Sequence, residues 1–405
     1  MLEVKEGKLL YQVCSLLLKS HAEPEIFEQI AEQLFKNLQV SCCSIWSASP
    51  NGGVGQQRLA FSSVEDTMPA DLPTLDFKAS LQAMESKGAL SCQESQVIAG
   101  KQKLFSLTIP LSSHGHVVGA ICFWFFNGAI RQDIVSLMTS LAADLAQGLH
   151  NYQSFCAHSH RRLNKELEIA KQIQTSFLPK KIAQIAGNSI AFQSITAYEV
   201  GGDYLDIFQT QNNLVGIALG DVMGKGIPAA LWMAMTRVTL NTIAKSGVQP
   251  HVVLEEVNKM LYQDLVERDT FVTLLYALYE PVKKVLLLAN AGHLPPLVFH
   301  SITGQYELFK VKGPYIGGIE NRKYQLAGVQ LIAGDVVLFY SDGLTEATNS
   351  SGKQFGLSNI VDVVSKNSLF DAQQIVDSLT IHVSQYLGNC QQKDDITFAC
   401  LKVVG

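Results

Sequence analysis

With 405 residues, 47% hydrophobic and 17% charged, the chain is too long for one ordinary core and too apolar to stay unfolded, so two domains with a connector are expected. A net charge of −5 excludes a global basic field for nucleic acid or anionic lipid, and the longest apolar run, Val117–Phe126, falls far short of the ~20 residues of a membrane helix. The eight cysteines are scattered, without CxxC or Cys/His zinc spacing, which points to reduced, buried thiols rather than a disulfide framework.

The first twenty residues carry charges through their apolar patch and lack a cleavage site, so they read as a helix of a soluble, cytoplasmic protein. Ile26, Ile30, Leu34 and Leu38 recur at four-residue steps on one face of a helix starting near Pro24. "SCCSIWSAS" then turns extended, and "LFSLTIPLSSHGHVVGAICFWFF" reads as two buried strands joined by a polar turn at Ser112–His116. Ile134, Leu137, Leu141, Leu145 and Leu149 mark a following helix. This order of helix, strands, hairpin and helix resembles a GAF domain over residues 1–150, which implies a sensory module whose ligand the sequence does not name. Cys42, Cys43 and Cys92 could attach a chromophore or sense redox, set against the plainer reading of buried thiols.

Residues 151–180 turn polar and helical. Leu163, Leu167, Ala170, Ile173 and Phe177 form a narrow apolar seam opposite Lys165, Glu166, Glu168 and Lys171, and Pro179 ends the run. The seam suits either a homodimer helix or a helix packed on the neighbouring domain.

From residue 181 to 405 apolar strands alternate with turns: "LVGIALGD", "FVTLLYALYE", "KVLLLANAG", "PLVFH", "DVVLFYSDG" and "DDITFACLKVV". Helices are expected at 227–245, 250–264 and 371–387. Such a strand-rich pattern predicts layered sheets flanked by helices rather than a parallel βαβ series.

Within this half, "GDVMGKGIPAALW" imitates a phosphate-binding loop at Gly220, Gly224 and Lys225. Only three residues separate its glycines and Gly226 follows the lysine, so Walker geometry is absent. The acids around it form a better pattern. Asp203 and Asp206, Asp221, Asp342, and Asp394 with Asp395 each sit where a strand meets a turn. Carboxylates converging on a sheet rim repel one another unless protonated or neutralised by cations, and hard divalent ions are their natural partners. Two such ions can activate water and clamp a phosphoryl group without a protein nucleophile, and the chain has no HCx5R, GxSxG or HExxH signature.

"EVGGDYLDIF", "GDVMGKGIPAAL", "NAGHLPPLVF", "FYSDGLTEATN" and "DDITFACLKV", in this order, resemble the PPM-type metal-dependent serine/threonine phosphatases of the bacterial SpoIIE and RsbU group. The likeness includes the preceding helix "LNKELEIAKQIQTSFLP". The resemblance implies an α/β two-domain protein: a GAF-like sensor, a helical linker and a PPM-like β-sandwich flanked by helices (αββα). It also implies two Mn2+ or Mg2+ ions held by Asp203, Asp221, Asp342, Asp394 and the carbonyl of Val222, with Asp221 bridging. Asp395 is the alternative to Asp394, and Asp206 is a supporting residue. Gly220 and Gly224 would turn the backbone around Asp221. Met223 stands where eukaryotic relatives carry a histidine, so the acid for the leaving group is unassigned; His293 reads either as its substitute or as a turn residue. Lys225 could attract phosphate or be a solvated turn residue, while Trp232, Met233 and Met235 read as core. The implied substrate is a phosphorylated STAS-type anti-sigma-factor antagonist in partner switching. The competing function is a catalytically silent phosphoprotein-binding module.

Overall fold

The computed structural model describes residue 9 and residues 11–17, 25–38, 40–48, 56–63, 72–85, 91–99, 102–126, 132–179 and 188–404. The chain divides into two compact units, Met1–Asn164 and Lys165–Gly405. Residues 180–187, where the linker reading gives way to the second domain, lie outside the described residues.

In the first unit, β1 (Cys42–Ala48), β2 (Gln56–Ser63), β3 (Ser91–Ala99), β4 (Gln102–Ser113) and β5 (His116–Phe126) form one antiparallel sheet in the order β2-β1-β5-β4-β3. The β4–β5 hairpin closes at His114 and Gly115, both at positive φ, within the turn expected from sequence. Side chains alternate across the sheet. Cys43, Ile45, Ile109, Ile121 and Phe123 pack against α1 (Glu25–Leu38) and the first half of α3 (Gln132–Thr175). The opposite face meets α2 (Leu72–Glu85), where fully buried Asp76 accepts hydrogen bonds from Ser44 Oγ (2.8 Å), Trp46 Nε1 (3.1 Å) and Trp124 Nε1 (2.9 Å). Three donors hold a carboxylate that burial alone would penalise. Burial pushes the Cys43 and Cys122 thiols well up, which keeps them protonated and counts against a redox thiolate at Cys43. The Cys92 side chain lies outside the described residues.

α3 is a correction to the reading of two successive helical segments. It is one helix of 44 residues, because no proline interrupts the change from a core-facing stripe to a polar surface and Gly148 is carried within the helix. Of the expected seam, Leu163 and Ile173 are exposed and Phe177, just past the helix, is partly buried.

The second unit is a sandwich. One sheet runs β13-β10-β9-β8-β7 and the other β12-β11-β14-β15-β6, all neighbours antiparallel. The strands are β6 (Asn188–Ile195), β7 (Tyr204–Gln209), β8 (Val215–Val222), β9 (Val272–Glu280), β10 (Val285–Ala291), β11 (Leu297–His300), β12 (Gln305–Leu308), β13 (Ala327–Gln330), β14 (Val336–Tyr340) and β15 (Ile396–Val403). Their inward residues, among them Ile217, Leu219, Leu275, Leu288, Phe339 and Leu401, share one core between the sheets. Outside the first sheet, α4 (Gly226–Ala244) and α5 (Pro250–Glu267) bury Met233, Leu240, Leu254 and Leu261 against Leu274 and Tyr276. Outside the second, α7 (Gly356–Lys366) and α8 (Ala372–Leu387) bury Ile360, Val364, Ile375 and Leu379 against Leu338 and Phe398. Short α6 (Asp342–Glu346) follows β14 directly. The layers are helix, sheet, sheet, helix, as the sequence pattern predicts; α7 was not foreseen. Among the described residues no helix is long and apolar enough to cross a membrane.

Candidate active site

The sandwich brings the acids to one rim by two routes. Asp221 is the penultimate residue of β8, and Asp342 follows β14 as the first residue of α6. Asp203 and Asp394, in contrast, precede β7 and β15, so two of the four acids follow a strand and two lead into one. Tyr204 pairs with Gly220, which sets Asp203 beside Asp221 on neighbouring strands. Across the second sheet, Ser341 N donates to Thr397 O (2.8 Å), Thr397 N to Ser341 Oγ (3.1 Å) and Ser341 Oγ to Asp395 O (3.3 Å), fastening the start of α6 to the start of β15.

Electrostatics tie the groups together. Burial, then the charges of Asp342, Asp394 and Asp395, push the Asp221 carboxyl up to about 7. Burial, then Asp221 and Asp395, hold Asp203 well above the usual carboxylate range, although Thr397 and Ser341 offer it hydrogen bonds. Burial, then Asp394 and Glu346, raise Asp342. Asp203, Asp221 and Asp342 are thus each made less willing to ionise by burial and by neighbouring carboxylates. Asp203 Oδ2 is in addition buried without a hydrogen-bond partner.

Asp394 and Asp395 divide their labour in a way the sequence leaves open. Asp395 is buried, its Oδ1 accepting from Ala197 N (2.8 Å) and its Oδ2 from Asp203 N (3.3 Å). It therefore braces the loop that carries Asp203. Asp394 is more open; its Oδ1 accepts from Asp395 N (3.0 Å) and its Oδ2 from Lys225 Nζ (2.8 Å). Lys225 Nζ also donates to the carbonyl of Lys393, so the lysine joins the loop after β8 to the loop before β15. A groove of about 310 Å³ beside them is lined by Lys225, Gly343, Glu346, Gln354, Gln392 and Asp394 among others.

The remaining candidates separate from the rim. Asp206 accepts from Asn241 Nδ2 (2.7 Å), with Arg237 Nε 3.7 Å away, and so ties β7 to α4. His293 is buried, its Nδ1 2.9 Å from Thr273 Oγ1, and burial lowers its pKa to about 4. Burial thus favours the neutral ring, whose remaining N–H is too weak an acid to protonate a leaving alkoxide. Gly220 lies inside β8, where a Cβ would come 2.9 Å from Thr273 O; the positive-φ turn belongs to Gly224 (φ 98°) and Gly226 (φ 70°). Of the three residues expected in the α4 core, Met233 is buried and Trp232 partly so, but Met235 is exposed, because it falls on the outward stripe with Ile227, Leu231 and Val238.

The donor set fits hard divalent ions: it is all oxygen, one carboxylate oxygen is orphaned, and the acids hold one another's charge in check. It is an open set. Among the described residues no three His, Cys, Asp or Glu side chains close into a finished cage. Val222 is buried, and its carbonyl oxygen lies 3.0 Å from where a Cβ on Gly202 would sit.

Comparison with known proteins bears on the same unit. The family described as Stage II sporulation protein E (SpoIIE) matches residues 211–404, which include Asp221, Asp342 and Asp394 but leave Asp203 just outside. Phosphoserine phosphatase RsbU of Bacillus subtilis is 28% identical over 242 residues, 60% of this chain and 71% of that protein. Phosphoserine phosphatase RsbP of the same organism is 26% identical over 189 residues, covering 46% of each. The SiaA-PP2C domain of Pseudomonas aeruginosa superposes with a TM-score of 0.53 at 19% identity, over 61% of this chain and 99% of that structure, a likeness of fold. The C-terminal unit thus matches the SpoIIE model over 211–404 and shares its fold with a PP2C domain, and its relatives support a protein phosphatase enzyme.

Proposed function

We propose that this SpoIIE/PP2C-type domain hydrolyses phosphoserine or phosphothreonine on a STAS-type anti-sigma-factor antagonist in the cytoplasm, under control of a GAF-like N-terminal unit. The observation that carries the reading is the rim itself, where Asp203, Asp221, Asp342 and Asp394 are coupled by charge at one end of the sandwich. In this reading Asp203, Asp221, Asp342, Asp394 and the Val222 carbonyl are the groups that would hold the two Mn2+ or Mg2+ ions. The ions, when bound, supply Lewis acidity that activates water and neutralises charge on the phosphoryl group.

The protein's own part is positional. Asp395 keeps the Asp203 loop against β15, and Lys225 orients Asp394 while placing an ammonium at the mouth of the neighbouring groove, where a phosphate dianion would be drawn in. Neutral His293 supports β9 through Thr273, so protonation of the leaving alkoxide falls to solvent or to a group on the substrate. The names of RsbU and RsbP, both phosphoserine phosphatases, support the substrate class. The five-stranded sheet with helices on both faces supports a sensory role for the first unit, and exposed Leu163 and Ile173 on α3 support a homodimer through that helix.

The Lys225 to Asp394 pair is the one observation favouring a silent phosphoprotein-binding module, since the lysine neutralises an acid that catalysis needs free. Incubating the full chain and a chain lacking residues 1–150 with a phosphorylated STAS protein in Mn2+ separates the readings. Release of phosphate, lost in Asp342→Ala and altered by the deletion, is expected; stable binding without phosphate release would favour the silent module.

A further inference from the structure

The last turn of α3 reaches the candidate site through one side chain. Gln174 Nε2 donates to Gly201 O (2.7 Å), and Gly201 N donates back to Gln174 Oε1 (3.0 Å). An amide side chain offers donor and acceptor in one plane, so it pairs with a peptide unit as a neighbouring β-strand would. Gly201 is buried, and a Cβ there would lie 2.0 Å from Asp395 Oδ2. Its backbone is consequently pressed between two side chains, Gln174 on one flank and Asp395 on the other, two residues before Asp203. Asp395 in turn accepts from Ala197 N and Asp203 N, so the segment 197–203 is gripped along its length.

Packing alone does not fix this segment. A cavity of about 300 Å³ opens between the end of α3, β6 and the start of β7, lined by Lys171, Thr175, Ser194, Thr196, Asp203 and Met233 among others. Room of that size leaves a loop free to shift unless polar bonds hold it. The end of α3 is itself anchored: Arg237 Nε donates to Phe177 O (3.3 Å) and its guanidinium stands 4.9 Å over the Phe177 ring.

We propose that Gln174 is a positioning residue, which sets the Asp203 carboxylate for metal by clamping the Gly201 peptide to the end of α3. The proposal rests on the phosphatase reading of the rim. Asp203 can meet a divalent ion together with Asp221 only if its loop keeps its place, and groups that orient a metal ligand are worth on the order of 10- to 100-fold in metal affinity. Displacing the last turn of α3 by the length of one hydrogen bond would break both bonds to the Gly201 peptide and leave Asp395 as the main tether of the loop.

The test uses the full chain with Gln174→Leu, which keeps bulk and loses both bonds, and Gln174→Glu, which keeps the acceptor and loses the donor. Two readouts are taken: amide hydrogen exchange across residues 197–204, and Mn2+ affinity by titration calorimetry. The expected result is faster exchange in that segment and Mn2+ binding weakened roughly tenfold in Gln174→Leu, with Gln174→Glu between it and the wild type. Unchanged exchange would overturn the clamp, and faster exchange with unchanged Mn2+ affinity would overturn the positioning role. A wild-type chain that takes up no Mn2+ would instead defeat the phosphatase reading, and the proposal with it.

Discussion

Replacing Asp221 by Asn should make the metal-free protein more stable, although it removes a central acid. The Asp221 carboxyl titrates at 3.8 when exposed and near 7 in the folded chain. An acid raised in the folded state binds its proton more tightly there than in the unfolded chain, so stability falls as pH climbs from about 4 through 7. Once both states are ionised, a shift of about 3 units corresponds to at most ~4 kcal/mol of destabilisation. The raised Asp203 and Asp342 act in the same direction. His293, lowered from 6.5 to about 4, acts oppositely, since the unfolded chain takes up a proton that the buried ring refuses, and stability rises with pH across that interval. Its influence ends above 6.5, which leaves pH 7–8 as the clean window. Thermal unfolding in EDTA at pH 8 should therefore show Asp221→Asn melting higher than wild type, by up to roughly 10 °C. The difference should shrink at pH 5, where folded Asp221 is already protonated. Mn2+ should raise the melting temperature of the wild type and leave Asp221→Asn nearly unmoved. If the variant melts at or below wild type at pH 8, or gains as much from Mn2+, the account of a self-repelling, cation-seeking rim is refuted.

Three further outcomes follow from single contacts. Lys225→Met should leave Asp394 unoriented and remove the ammonium that draws in phosphate, lowering kcat/KM for a phosphoprotein about tenfold while Lys225→Arg retains most activity, as steady-state kinetics at two salt concentrations would show; a rise in kcat/KM would mean that the pair holds the acid back. His293→Gln should destabilise the fold by about 1–3 kcal/mol in urea unfolding without shifting the limbs of the pH–rate profile, because the ring is buried and neutral. Asp76→Ala should destabilise the first unit by about 2–3 kcal/mol by stripping the Trp124 indole N–H of its Asp76 acceptor and leaving Trp46 Nε1 with Ser44 Oγ in place of two acceptors, visible as a downward shift of its tryptophan-reported transition while phosphatase activity of the second unit persists.

Much of the rim was legible because its residues are chemically distinctive. Asp221 and Asp342 follow apolar runs that can only be buried strands, and the order of the motifs brings the two sheets' ends together. Asp203 and Asp394 lie before their strands and not after them, a distinction the sequence does not carry, since a single acid beside glycine does not say on which side the strand lies. The choice between Asp394 and Asp395 was beyond local pattern: it depends on the amides of Ala197 and Asp203, nearly two hundred residues away. Gln174 was invisible for the same reason, its partner being a peptide bond that carries no side-chain signal. The unity of α3 was missed because its burial changes partway while its helical propensity does not, and Met235 because an apolar residue on an exposed stripe reads as core.

The most direct measurement is phosphate release from a phosphoserine-bearing STAS protein by the full chain, titrated with Mn2+, beside Asp221→Ala and Asp342→Ala. Release that rises with metal and disappears in both variants is the predicted result. Metal-independent release, or release that survives loss of either aspartate, would contradict a phosphatase built on this rim.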